Sequence, residues 1–157
     1  MRNGSYHILL RDVSLGEKRY FAIMEMMLKE NNYNVEENSK VLWMGEREVK
    51  NLYESGNIIG LHSYSHPTVM KNKSFAEQKG EYGRNKEQLE KIIGKNITTV
   101  SYPRNSYNKD TMELMNELGI SVGFRANMSE LVYMNEKLEI PREDHANILK
   151  KMEETRK

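Results

Sequence analysis

Residues 60–67, GLHSYSHP, hold two of the chain's four histidines, His62 and His66, four positions apart. Imidazoles at i and i+4 share one face of a helical turn, so two neutral nitrogens there could reach one divalent ion. Zinc, cobalt, nickel and iron suit such ligands, with a carboxylate as the usual third partner. The competing reading is a pair of surface or helix-capping histidines in a turn closed by Pro67. Three more clusters carry candidate chemistry. SYPRNSYN, residues 101–108, offers backbone N–H groups and the Arg104 guanidinium to a developing oxyanion, and is also the entry loop of a helix capped by Asn108. Arg125 in GFRANM either orients a carboxylate or a histidine, or pairs with a surface glutamate. His145 in EIPREDHANIL either protonates a leaving amine or sits exposed in the first turn of a helix, where the dipole favours a neutral ring. His7 lies in an apolar run and reads as structural.

The elements that must position these residues alternate. SYHILL (5–10) reads as a short strand. Residues 16–31 place Phe21, Met24, Met27 and Leu28 on one face of an amphipathic helix. A polar connection with no signal of its own follows. Residues 45–56 give a short helix through Val49, Leu52 and Tyr53, stopped by Gly56, and NIIGLHS (57–63) is a compact apolar strand. Ser74 with Glu77 spells a capping box for a helix reaching about Ile93, where Leu89, Ile92 and Ile93 turn inward and Gly94 ends it. NITTVSYP (96–103) is β-branched and strand-like. Residues 108–119 form a helix with Met112, Met115 and Leu118 inside, ISVGF (120–124) and KLEIPR (137–142) are strands, and Asp144 caps a closing helix. Strands separated by helices imply parallel β/α units, in which the residues just past the strands' C-terminal ends line the site. All four clusters fall there.

Composition narrows the classes. With 24 Lys+Arg against 23 Asp+Glu, the net charge of +1 gives no chain-wide reason to bind nucleic acid. No run of roughly 18 apolar residues exists to span a membrane, and no secretory leader is visible, which leaves the cytoplasm as the default location. The absence of cysteine excludes disulfides and thiolate zinc sites, so any metal must be held by His, Asp or Glu. Eleven methionines fall mostly at helical core spacing and read as packing.

SGNIIGLHSYSHP resembles the histidine motif of the polysaccharide deacetylase family (NodB homology, carbohydrate esterase family 4), in which a strand leads into H-[ST]-x-x-H. SYPRNSYN resembles the motif that follows, Y-P-x-G-x-Y-N, while ELGISVGFRANM and LEIPREDHANIL resemble the family's last strands. The resemblance is clearest over residues 41–149. It implies an α/β fold, a distorted (β/α) barrel, and hydrolysis of N-acetyl or sometimes O-acetyl groups on sugars, with an acetylated carbohydrate as partner and a divalent metal, zinc foremost, as cofactor. His62 and His66 would be metal ligands. Tyr102, Pro103, Arg104 and Asn105 would wall the groove, with Arg125 as a further substrate contact. The Tyr107 backbone would serve as oxyanion donor and His145 as acid, although REDHANIL departs from the family's L-x-H form.

The family opens with a strand ending in T-F-D-D, which supplies the base and a metal ligand, and this chain shows no such motif. The nearest carboxylate is Asp12 in ILLRDVSLG, fifty residues before His62, which would be the third ligand. Arg11 then takes the base position, where it cannot accept a proton. Residues 40–56 and the helix before them read as an insertion, which places the true first strands upstream of Met1. The expectation is therefore one domain, 1–157, with a barrel incomplete at its N-terminus and an unpaired sheet edge inviting self-association. Two functional readings follow: a deacetylase-like hydrolase, or an inactive carbohydrate-binding relic or fragment of a split deacetylase.

Overall fold

The computed structural model describes His7 and residues 10–155, apart from the side chains of Asp12 and Val13. The chain divides into two compact units, Met1–Asn51 and Leu52–Lys157. The first contains a π-helical turn, Leu10–Leu15, then α1 (Glu17–Glu30), α2 (Val35–Leu42) and the start of α3 (Glu46–Glu54). The expected apolar face of α1 is half realised: Met24 and Leu28 are half-buried, whereas Phe21 and Met27 are exposed. Helix α2 occupies the segment expected as a plain connection. Asn34 nucleates it by accepting the Glu37 N–H at 3.0 Å, and two first-turn glutamates suit its dipole. No described residue of this unit is buried. The strand expected over 5–10 lies outside the described residues except at His7 and Leu10, which are helical.

The second unit is built on parallel pairing. Strand β1 (Thr99–Ser101) pairs with β2 (Val122–Phe124) in the register Thr99↔Val122, Val100↔Gly123, Ser101↔Phe124. Leu61 bridges to Val100 on one side and Ile140 to Phe124 on the other, both parallel. The order is thus the Leu61 segment, β1, β2, the Ile140 segment. Helix α4 (Phe75–Ile93) and α5 (Lys109–Glu117) make the first two crossovers, as consecutive β/α units require.

Two of the expected strands shrink to single bridges for identifiable reasons. The Asn57 N–H and side chain are both captured by the Leu52 carbonyl, and the His62 N–H goes to the Asn85 side chain, so 57–63 pairs only at Leu61. In 137–142, Pro141 has no N–H to offer and the Arg142 N–H turns to the Asn127 carbonyl. Gly123 is required by close approach. A Cβ there would lie 2.5 Å from the Leu138 carbonyl oxygen and 2.6 Å from the Tyr102 hydroxyl.

Helix boundaries follow their local chemistry. Ser74 and Glu77 form the capping box of α4, Gly94 ends it at φ 69°, and Asn108 with Thr111 caps α5. The core joins Leu61, Ile97 and Val100 to Met70, Tyr82, Tyr102, Leu114 and Met115, all almost fully buried. Gln78, also fully buried, donates to the Lys73 carbonyl at 3.0 Å and accepts from the Thr111 hydroxyl at 2.6 Å, so both ends of its amide are used. A last helix, α6 (His145–Glu154), starts at an Asp144 cap that accepts the Ala146 N–H at 2.8 Å.

Candidate functional site

His62 follows the bridged Leu61 directly. Its Nδ1 lies 2.6 Å from the Ser101 carbonyl oxygen, an acceptor that requires the proton on Nδ1 and leaves the lone pair on Nε2. The His66 ring stands 4.9 Å away, centroid to centroid, inclined at 56°. The pair does not meet through the helical turn expected from its spacing. Residues 62–66 form a bend in which Ser63 (φ 65°) and His66 (φ 55°) adopt left-handed conformations, and these fold the chain back on itself. Three residues of α4 face this bend, none of them singled out from sequence. Glu81 accepts the N–H groups of Tyr64 and Ser65 at 3.1 and 2.8 Å and the Ser65 hydroxyl at 2.8 Å. Asn85 accepts the His62 N–H at 3.0 Å, and the Arg84 guanidinium stands 4.0 Å from the Tyr64 ring centroid. The only sequence signal for them is their i, i+3, i+4 spacing on one helical face.

The second cluster begins where β1 ends. Tyr102 and Pro103 are buried, so the side chains this stretch presents outward are Arg104 and, in part, Asn105. Arg104 (φ 50°) and Asn105 (φ 59°) are both left-handed. Asn105 stands where the pattern Y-P-x-G-x-Y-N has glycine, and asparagine is among the few side chains that tolerate this backbone. Its Oδ1 accepts the Ala126 N–H at 2.9 Å, which ties the loop to the end of β2. Tyr107 stacks on Tyr102 at 4.6 Å and donates its hydroxyl to Glu139 at 2.8 Å. Its backbone N–H makes no hydrogen bond among the described residues.

Arg125 is not at the surface. It is 1 % exposed, with Nε on the Glu139 carbonyl at 2.9 Å, Nη1 on the Glu130 carbonyl at 2.7 Å and Nη2 on the Ser129 carbonyl at 2.5 Å. This corrects the expectation of a substrate contact or surface ion pair: the guanidinium is consumed by backbone. Fully buried Glu139 answers it, accepting the N–H groups of Val132, Tyr133 and Asn135 at 3.0, 2.9 and 3.1 Å. Burial by itself would raise this carboxyl, but the Tyr107 hydroxyl and the three amides outweigh it and hold Glu139 below its usual range. Burial first, and then the bond to Glu139, pushes the Tyr107 phenol upward, so it stays a neutral donor.

His145 is the first residue of α6. Its side chain is 89 % exposed, with Nδ1 3.4 Å from Asp144, on a cleft of about 250 Å³ shared with Ala126, Arg142 and Glu143. An apolar hollow of about 420 Å³, lined by Ile58, Leu61, Val100, Val122 and Phe124, opens beside His62. Asp12 belongs to the π-helical turn of the first unit, and its side chain lies outside the described residues. Among the described residues no group of three His, Asp or Glu converges to hold an ion. The structure thus links the histidine bend to β1 and the 102–107 loop to Arg125 and Glu139, and it leaves His145 at the rim.

Parallel β/α units with polar loops gathered past the strand ends define an α/β domain. The fold is shared with a Streptococcus pyogenes deacetylase, PplD, solved with acetate (TM-score 0.58, 23 % identity, 69 % of this chain and 50 % of that one). It is shared as well with the BpsB deacetylase domain of Bordetella bronchiseptica (TM-score 0.55, 16 % identity, 64 % and 48 %). This chain therefore spans about half the length of either structure. No curated protein matches the sequence. Residues 19–123 match the model of the polysaccharide deacetylase family, and the chain belongs to that family. The match includes most of α1, which the sequence had suggested was part of an insertion.

Proposed function

We propose that this chain carries out deacetylation of an N-acetylated sugar or polysaccharide, assisted by a divalent ion for which zinc is the first choice. The observation that supports this most is the His62 tautomer: with Nδ1–H engaged by the Ser101 carbonyl, Nε2 is a ready ligand, and the His66 ring stands beside it. These two residues fit a metal that prefers nitrogen, and Asp12 is the proposed third ligand. An ion held there would polarise the acetyl carbonyl as a Lewis acid. The Tyr107 N–H, with no acceptor of its own among the described residues, would donate to the oxyanion, and exposed His145 would give a proton to the departing amine. Arg104 and Asn105 would contact the sugar, with Tyr102, Pro103 and Arg125 supporting them from beneath. On this reading residues 1–157 make one deacetylase-like domain, and the four parallel segments are one side of a distorted (β/α) barrel. That the PplD structure holds acetate, the product of such a reaction, is consistent with it.

A second reading, an inactive carbohydrate-binding relic or part of a split deacetylase, is favoured by one observation. Among the described residues no group of three His, Asp or Glu converges on the histidine pair to hold an ion. Two measurements on the full chain decide: zinc titration and acetate release from N-acetylated chito-oligosaccharides, each beside a His62→Ala/His66→Ala variant. One-to-one zinc binding lost in the variant, with release falling at least about 100-fold, supports deacetylation. Zinc binding that ignores the variant, with no acetate released, supports the relic.

A further inference from the structure

The histidine bend has no secondary structure of its own, and its shape comes from α4. After the bridge residue Leu61, residues 62–66 form a bend in which two non-glycine residues, Ser63 and His66, are left-handed. Such backbone persists only where the surroundings impose it. The group that imposes it here is the Glu81 carboxylate: one oxygen accepts both the Tyr64 and Ser65 N–H groups, and the other accepts the Ser65 hydroxyl. These three donors belong to Tyr64 and Ser65, which lie between the two histidines in the chain. Asn85, one turn further along the same face, fixes the His62 N–H, and Arg84 covers the Tyr64 ring.

We propose that Glu81 is a positioning residue of the site, whose carboxylate sets the 63–65 bend and thereby brings His62 and His66 together. This rests on the reading of that pair as metal ligands. Glu81 touches neither substrate nor ion and acts through the bend alone. It is only half-buried on α4, whereas Gln78 and Tyr82 of the same helix are fully buried, so its loss should release the bend without opening the core. Glutamine is the informative conservative change. Its amide oxygen can accept the two backbone N–H groups, and its NH₂ can donate to the Ser65 hydroxyl.

The test is amide hydrogen exchange on the full chain without metal, for Glu81→Ala and Glu81→Gln, followed by zinc titration of both. In Glu81→Ala the Tyr64 and Ser65 amides should exchange at least about tenfold faster while those of Ser101 and Gly123 do not change, and zinc affinity should fall about 10–100-fold. Glu81→Gln should restore both. Unchanged exchange at Ser65 in Glu81→Ala overturns the proposal. So does accelerated exchange throughout the sheet, which would make Glu81 a general fold residue, and so does a glutamine variant that behaves as alanine does. If the wild-type chain binds no zinc, the metal reading fails, and the exchange data still decide what Glu81 does.

Discussion

Two irregular loops of the second unit, 62–66 and 126–136, solve the same problem in opposite ways. Both follow a paired segment of the parallel sheet and neither forms a helix or strand, so each has backbone donors or acceptors that need partners. The histidine bend takes its partners from α4, through Glu81 and Asn85, at the protein surface. The 126–136 loop takes them from underneath. Arg125 and Glu139, 1 % and 0 % exposed, supply donors to its carbonyls and acceptors to its amides. A buried brace is part of the fold, because removing it leaves desolvated groups unpaired. A surface brace can be removed at little cost to the whole, because water replaces it. The difference assigns the 126–136 loop to stability and leaves the histidine bend free to be tuned.

The largest expected effect is at Arg125. An Arg125→Met variant strands the carbonyls of Ser129, Glu130 and Glu139 and should lose about 3–5 kcal/mol in denaturant unfolding. A loss below about 1 kcal/mol would erase the contrast between the loops. Next is the acid response of Glu139. Its carboxyl is held below the ordinary 4.5 in the folded chain, which therefore binds fewer protons than the unfolded chain. The stabilisation is complete above 4.5 and is lost as the pH falls through the lowered folded value, so acid unfolding of wild type should show a component that Glu139→Gln lacks. The smallest effect belongs to Glu81→Ala, whose global stability should change by less than about 1 kcal/mol even as the bend loosens.

Much of the frame could be read from sequence because its signals are local. Ser74 with Glu77, Asn108 before α5, Asp144 before α6 and Gly94 after α4 all act within a few residues, and each cap appears as expected. What was not legible depends on partners far away in the chain. The spacing of His62 and His66 suggested a helical turn, but the bend is fixed by Glu81, sixteen residues from Ser65. Arg125 follows a strand as expected, yet its burial depends on backbone carbonyls four, five and fourteen residues further on, in a loop with no periodicity to announce it. Strand lengths were overestimated at 57–63 and 137–142 because Leu52, Asn85 and Asn127 divert the very groups that would extend the ladder. The order of the elements and their caps was therefore visible in residue types, and the geometry of the histidine bend and of the loop braced by Arg125 was not.

His62 presenting Nε2 beside His66 is the geometry a nitrogen-bound ion requires, and nitrogen-15 spectra of the imidazoles test it most directly. Spectra are taken on the full chain, at a pH where histidine is neutral, before and after zinc is added. The predicted result is a His62 ring protonated at Nδ1 without metal, with zinc shifting one ring nitrogen of His62 and one of His66 together. A His62 ring protonated at Nε2, or spectra that zinc leaves unchanged, would contradict it.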